Sequence, residues 1–150
     1  MNMSLFEGKE PTEVVTADDI KELTGIKAAD FQFVDVDDPD KALDELLEKW
    51  INRVASHIFV RLDRKISEDD GEYLAIQDVL IRSVANIVSI AQQQRTSPVI
   101  QIDNFAINIL NTSEALKHLD NELKPFLRYR KSSKSGWVSV FSSLEEYEDE

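Results

Sequence analysis

YLAIQDVLIRSVANIVSIAQQQ, residues 73–94, is the stretch whose pattern decides the fold. Tyr73, Leu74, Ile76, Val79, Leu80, Ile81, Val84, Ala85, Ile87, Val88, Ile90 and Ala91 cover most of a helical circumference. Asp78, Arg82, Asn86, Ser89 and Gln93 recur at steps of three and four and leave one narrow polar stripe. A helix this apolar has to be covered on several sides. Asp78, Arg82 and Asn86 interrupt the run too often for a membrane span. The pattern predicts a central helix, and the flanking elements must supply its cover.

Upstream, Asp38 is placed to cap a helix and Pro39 is tolerated at its first position. The helix is predicted over about 40–64. Leu43, Leu46, Leu47, Trp50, Ile51, Val54, Ile58 and Leu62 hold the three/four spacing, and Asp44, Glu45, Glu48, Lys49, Asn52, Arg53 and Ser56 form its wet face. Ser67 and Asp70 have capping-box spacing, and the short connection predicts that the two long helices are antiparallel neighbours. Residues 16–25 read as a complete small helix. Thr16 and Asp19 form a capping box, Ile20 and Leu23 an inward face, and Gly25 the left-handed end, with Ile26 as the next apolar contact. FQFVDV, 31–36, reads as extended. Residues 1–15 have little periodicity and predict a mobile arm.

Downstream, Pro98 stops the central helix. In VIQIDNFAINIL, 99–110, Asp103-Asn104 suits a two-residue turn. That register puts Ile100, Ile102, Phe105, Ile107 and Ile109 on one face of a hairpin, with Gln101, Ala106 and Asn108 on the other. A lone hairpin is marginal in water, so its apolar face must lie on the helices or on another subunit. Asn111 and Glu114 predict the start of a last helix, with Leu116, Leu119, Leu123, Phe126 and Leu127 facing inward and a break at Pro125. SSKSG, 132–136, reads as a linker. WVSVF, 137–141, alternates weakly and can add to a sheet edge. The expected fold is mainly α: a small helical bundle of one short and three longer helices with a β-hairpin inserted before the last helix. Residues 1–15 form an arm, 16–131 the domain and 132–150 a tail.

The net charge of −12 is unevenly spread. Through Asp70 the chain carries 18 acids against 9 bases, whereas 117–134 holds six bases against Asp120 and Glu122. The last six residues hold five acids. An acidic chain argues against autonomous, tight nucleic-acid binding. Alternating charge blocks suit contact between copies or with a partner, and equally suit solvated faces. Residues 1–10 lack the apolar core of a signal peptide. The chain has no cysteine, which excludes thiol chemistry, and only His57 and His118 as imidazoles.

Catalytic constellations are not found. Asp35, Asp37, Asp38 and Asp40 would need a ligating side chain at the fifth position and a Glu at the twelfth of a calcium loop, where Pro39 and Leu46 stand. Helix capping explains these acids better. Glu68, Asp69, Asp70 and Glu72 likewise suit a helix N-terminus. Gly8, Gly25, Gly71 and Gly136 form no phosphate loop. No catalytic residue, cofactor or metal is expected. In PFLRYRKSSK, 125–134, bases alternate with Phe126 and Tyr129; they suit phosphates, an acidic protein rim or a helix C-terminus. Trp137 and Phe141 suit an interface anchor or a tail folded onto its own domain.

In order, the chain presents TADDIKELTGI, then DELLEKWINRVASHIFVRLDR, then QDVLIRSVANIVSIAQQQ, a hairpin, and a closing helix ending PFLRYRK. This layout, over 16–131, resembles the head–tail connector (adaptor, or head-completion) proteins of tailed bacteriophages and prophages. The resemblance lies in pattern and carries no catalytic motif. It implies a non-enzymatic homo-oligomer, a dodecameric ring beneath the portal protein at the virion's head–tail interface. Such a ring extends the DNA channel without specific DNA binding, docks a downstream head-completion or tail protein, and involves no membrane. By position it would place Arg128, Tyr129, Arg130, Lys131 and Trp137 against the portal, with Phe141 in the same tail. An acidic channel fits passage of DNA without adhesion, and the hairpin face Ile100, Ile102, Phe105 and Ile107 fits a ring-closing contact. The alternative is a soluble helical nucleic-acid-binding or regulatory module using the basic 124–134 segment.

Overall fold

The computed structural model describes residues 4–94 and 98–127, and these are mainly helical. The elements in order are α1 (Pro11–Val14), α2 (Ala17–Thr24), β1 (Gln32–Phe33), α3 (Pro39–Leu62), α4 (Tyr73–Gln93), β2 (Pro98–Val99), α5 (Ile102–Leu110) and α6 (Ser113–Leu123). Short 3-10 turns occupy Ala28–Asp30 and Lys124–Phe126.

The local signals act where their chemistry demands. Thr16 accepts the Asp19 N–H at 3.1 Å, and Asp19 accepts the Thr16 N–H at 3.0 Å, so α2 opens with a reciprocal box. Gly25 ends it at φ 71°, a left-handed conformation that costs glycine nothing. Asp38 accepts the Lys41 N–H at 3.2 Å ahead of Pro39 and starts α3. Pro125 ends α6 as α-helix, and Lys124–Phe126 closes as a 3-10 turn.

Helix α4 is the centre, and α2, α3, α5 and α6 all pack on it. Ile76, Val79, Leu80, Val84 and Val88 are fully buried against Leu46, Leu47, Trp50, Ile51, Val54 and Ile58 of α3 and their neighbours in one continuous core. Asp78, Arg82, Ser89 and Gln93 are exposed and Asn86 is half-buried, so the polar stripe is the one strip left open. By length and composition α4 is also apolar enough to cross a membrane, with a mean hydropathy of 1.5.

Five expectations are corrected. Residues 102–110 form helix α5 and no hairpin. Ile102, Phe105, Ala106, Ile109 and Leu110 sit at i, i+3, i+4, i+7 and i+8, the helical period. Helix formation turns Ala106 and Ile109 into the core, where the small Ala106 admits the Trp50 indole to its carbonyl, Nε1 donating at 3.1 Å. Residues 98–99 pair in parallel with β1, Gln32 to Pro98 and Phe33 to Val99, so the chain before α5 is committed to another strand.

The arm is folded from Ser4 onward. Leu5 and Phe6 are buried, Phe6 bridges Ile66, and the Ile66 N–H donates to the Leu5 carbonyl at 2.8 Å. Leu23 is 59% exposed, because α2 is short and turns only Ala17 and Ile20 inward. At the start of α4, Asp70 accepts the Glu72 N–H at 2.8 Å and pairs with Arg64 at 3.1 Å, and no Ser67–Asp70 box forms. Thr112, rather than Asn111, caps α6, accepting the Ala115 N–H at 3.3 Å.

Candidate interaction surfaces

The described residues contain no group of three acidic or histidine side chains able to hold a metal ion. Their charged side chains instead link one element to another. Lys21 of α2 meets Asp44 of α3 at 2.6 Å and Asp18 at 3.5 Å. The hydrogen bond to Asp44 raises the lysine above its ordinary pKa, with both carboxylates adding to the effect. Lys49 of α3 meets Asp103 of α5 at 2.8 Å, and that hydrogen bond holds the Asp103 carboxyl below its ordinary 3.8. Lys9 is raised by its hydrogen bond to Glu68, which ties the N-terminal segment to the α3–α4 connection. Helix α6 is clasped twice. Asp120 faces Arg61 and His57 of α3, the imidazole at 3.6 Å. Glu122 faces Arg82 of α4 at 2.7 Å and His118 at 3.7 Å. His57 therefore lies beside a carboxylate of another helix and His118 beside one of its own, and neither lines the depressions described below.

Among the described residues, two open depressions are notable. The first, about 530 Å³, is lined by Pro98, Ile100, Phe105 and Ile109 with the amides Gln94, Gln101, Asn104 and Asn108. Ile100 is 69% exposed there, whereas Ile102, Phe105 and Ile107 are only half-covered by their own domain. Phe105 stacks edge-on to Phe31 at 6.0 Å and lies 6.3 Å from Trp50. The four residues assigned to one hairpin face are thus split. Ile100 precedes α5 and is free for contact, while Phe105 supports the core. The second depression, about 470 Å³, lies between α2 and α4 and is lined by Asp19, Glu22, Leu23, Gln77, Asp78 and Ile81.

Arg128, Tyr129, Arg130, Lys131, Trp137 and Phe141 lie outside the described residues. The α2–α4 depression had no signal along the chain, because its two walls are more than fifty positions apart and its apolar lining joins Ile81 to Leu23, which α2 fails to bury. No protein-family model, no curated protein and no solved structure matches this chain.

Proposed function

We propose that the chain is a head–tail connector of a tailed phage or prophage, a non-enzymatic subunit that assembles as a ring beneath the portal and continues the DNA channel toward the tail. The observation that carries this reading is the layout. A short capped helix, two long helices joined by a short connection, and a last helix broken at Pro125 ahead of a basic aromatic segment follow one another as in those adaptors. The replacement of the hairpin by α5 moves the proposed subunit contact to Ile100 and the amide-rich depression beside it. A 69% exposed isoleucine next to Pro98 and Phe105 is apolar area available to a neighbouring copy. The excess of acids gives a channel wall to which DNA gains nothing by adhering.

The test is negative-stain imaging and mass measurement of the full chain, alone and with the portal protein of the same genome. Rings of about twelve subunits, formed alone or on the portal, are expected. Strict monomers with no affinity for a portal ring would sink the proposal. Salt-dependent DNA binding that is lost in Arg128→Ala and Arg130→Ala would replace it with the nucleic-acid-binding reading. Ile100→Asp is expected to abolish rings while leaving the helical content unchanged.

A further inference from the structure

The open depression between α2 and α4 is lined by Leu23 and Ile81 together with Asp19, Glu22, Gln77 and Asp78. Leu23 is 59% exposed at one wall, Ile81 lies at the other, and Leu74, one turn before Asp78 on the same face of α4, is 71% exposed. Leu23 and Leu74 are two of the four large hydrophobic side chains that the described residues leave open. Asp19, Glu22 and Asp78 share the lining of the depression with Leu23 and Ile81. Asp19 is engaged in capping α2. No described cation pairs with Glu22 or Asp78, although most of the other inter-helix carboxylates have one. Apolar area with unpaired carboxylates beside it fits a segment that alternates aromatic and cationic side chains.

The chain carries such a segment and delivers it close by. Glu122, in the last turn of α6, is held to Arg82 of α4 at 2.7 Å, and Asp78 lies one turn from Arg82 along α4. The described chain ends at Leu127, five positions beyond Glu122. The next residues are RYRKSSK, 128–134, with Arg128, Arg130, Lys131 and Lys134 as cations and Tyr129 as the aromatic. Seven extended residues reach about 23 Å, several times the ~5.4 Å rise of one helical turn. We propose that the α2–α4 groove is the docking site of the chain's own segment 128–134, which crosses the open stripe of α4 and places its cations against Glu22 and Asp78 with Tyr129 over Leu23 and Leu74. The assignment rests on the groove and on the chain's own charges, and it stands whether or not the same segment also meets a portal.

The absence of cysteine allows a clean test in the full chain. Leu23→Cys with Ser132→Cys puts one thiol in the groove and one in the segment and keeps every charge. Val60→Cys with Ser132→Cys is the control, since Val60 is 70% exposed on α3, outside the groove. Under mild oxidation of dilute protein, the groove pair is expected to close within one chain roughly tenfold faster than the control, because docking raises the effective concentration of the two thiols. The advantage is expected to vanish at 1 M salt, where screening acts over about 3 Å, and in the charge-reversed background Glu22→Lys with Asp78→Lys. Equal rates for the two pairs, or an advantage indifferent to salt and to charge reversal, would overturn the assignment. Disulfides formed only between chains would also overturn it, and would give the groove to a second copy. Far-UV circular dichroism of each variant separates loss of docking from loss of fold.

Discussion

The decisive perturbation for the fold is Ala106→Asp set beside Ile100→Asp. In a hairpin, Ala106 would point outward and Ile100 inward, so the second change would be the harmful one. In helix α5 the order reverses. Ala106 is fully buried against α3 and its carbonyl receives the Trp50 indole N–H, whereas Ile100 is 69% exposed. A carboxylate at position 106 adds volume to a packed interior, at about 1–3 kcal/mol. It also places a charge in the core, and an uncompensated buried charge costs about 3–5 kcal/mol. The two costs overlap, and a net loss of about 4 kcal/mol is expected out of the roughly 7–15 kcal/mol typical of a domain this long. At about 2–4 °C per kcal/mol the melting temperature should fall by roughly 8–16 °C. Ile100→Asp should stay within about 0.5 kcal/mol, as surface changes do. Urea denaturation followed by far-UV circular dichroism measures both. Burial raises the folded-state pKa of the introduced carboxyl above its unfolded value. Its destabilisation should therefore be full at neutral pH and shrink as pH falls through that raised value, where the group becomes neutral. A larger loss for Ile100→Asp than for Ala106→Asp would refute the helical assignment of 102–110.

Phe6→Ala should cost about 3–5 kcal/mol by urea titration, because Phe6 is 1% exposed and stacks edge-on to Tyr73 at 5.7 Å; a mobile arm would give no change. Ile87→Asp should cost about 3–5 kcal/mol, since Ile87 is 2% exposed on the central helix, and an unchanged melting temperature would contradict its enclosure. Asp103→Asn should flatten the acid limb of the stability–pH curve. The depressed folded-state pKa of Asp103 means that its contribution is present above about 3.8 and lost as pH falls through the lower folded value. An acid limb identical in the two proteins would show that the Lys49 pair carries no linkage.

What could be read from residues alone was what local chemistry fixes. Thr16, Asp19 and Gly25 bound α2, and Asp38 with Pro39 starts α3, because each cap is satisfied within one turn. The stripe of α4 was legible because few side chains of that helix are polar and most of them fall on one side, buried Ser83 being an exception. Residues 99–110 were not, since the same isoleucines satisfy two periods. Ile100, Ile102, Phe105, Ile107 and Ile109 fit a strand pair, while Ile102, Phe105, Ala106 and Ile109 fit a helix. The choice falls on Ala106, whose small side chain looks neutral in a pattern yet permits the approach of Trp50, 56 positions away. Leu5 and Phe6 were missed for the same reason. Two apolar residues carry no period, and their partner, Ile66, belongs to a distant connection. The interaction surface was half legible. The basic segment stands out by composition, but the groove proposed for it exists only once α2 lies on α4 and leaves Leu23 uncovered.

The hold on α6 separates energy from register. Ala115, Leu119 and Leu123 are buried on it, and each buried leucine contributes about 1.5–3 kcal/mol. The ion pairs of Asp120 and Glu122 are partly exposed and worth about 0–1 kcal/mol each, so they do not keep the helix in place. They do select where along α3 and α4 it sits. A slide of one turn, about 5.4 Å, would carry Asp120 away from Arg61 and Glu122 away from Arg82 together. Apolar contact alone distinguishes such positions poorly, because buried aliphatic side chains recur along both helices. The register matters because it fixes where the described chain ends, at Leu127. The two carboxylates on an otherwise basic stretch therefore set the register of α6 on α3 and α4, and only secondarily stabilise the fold.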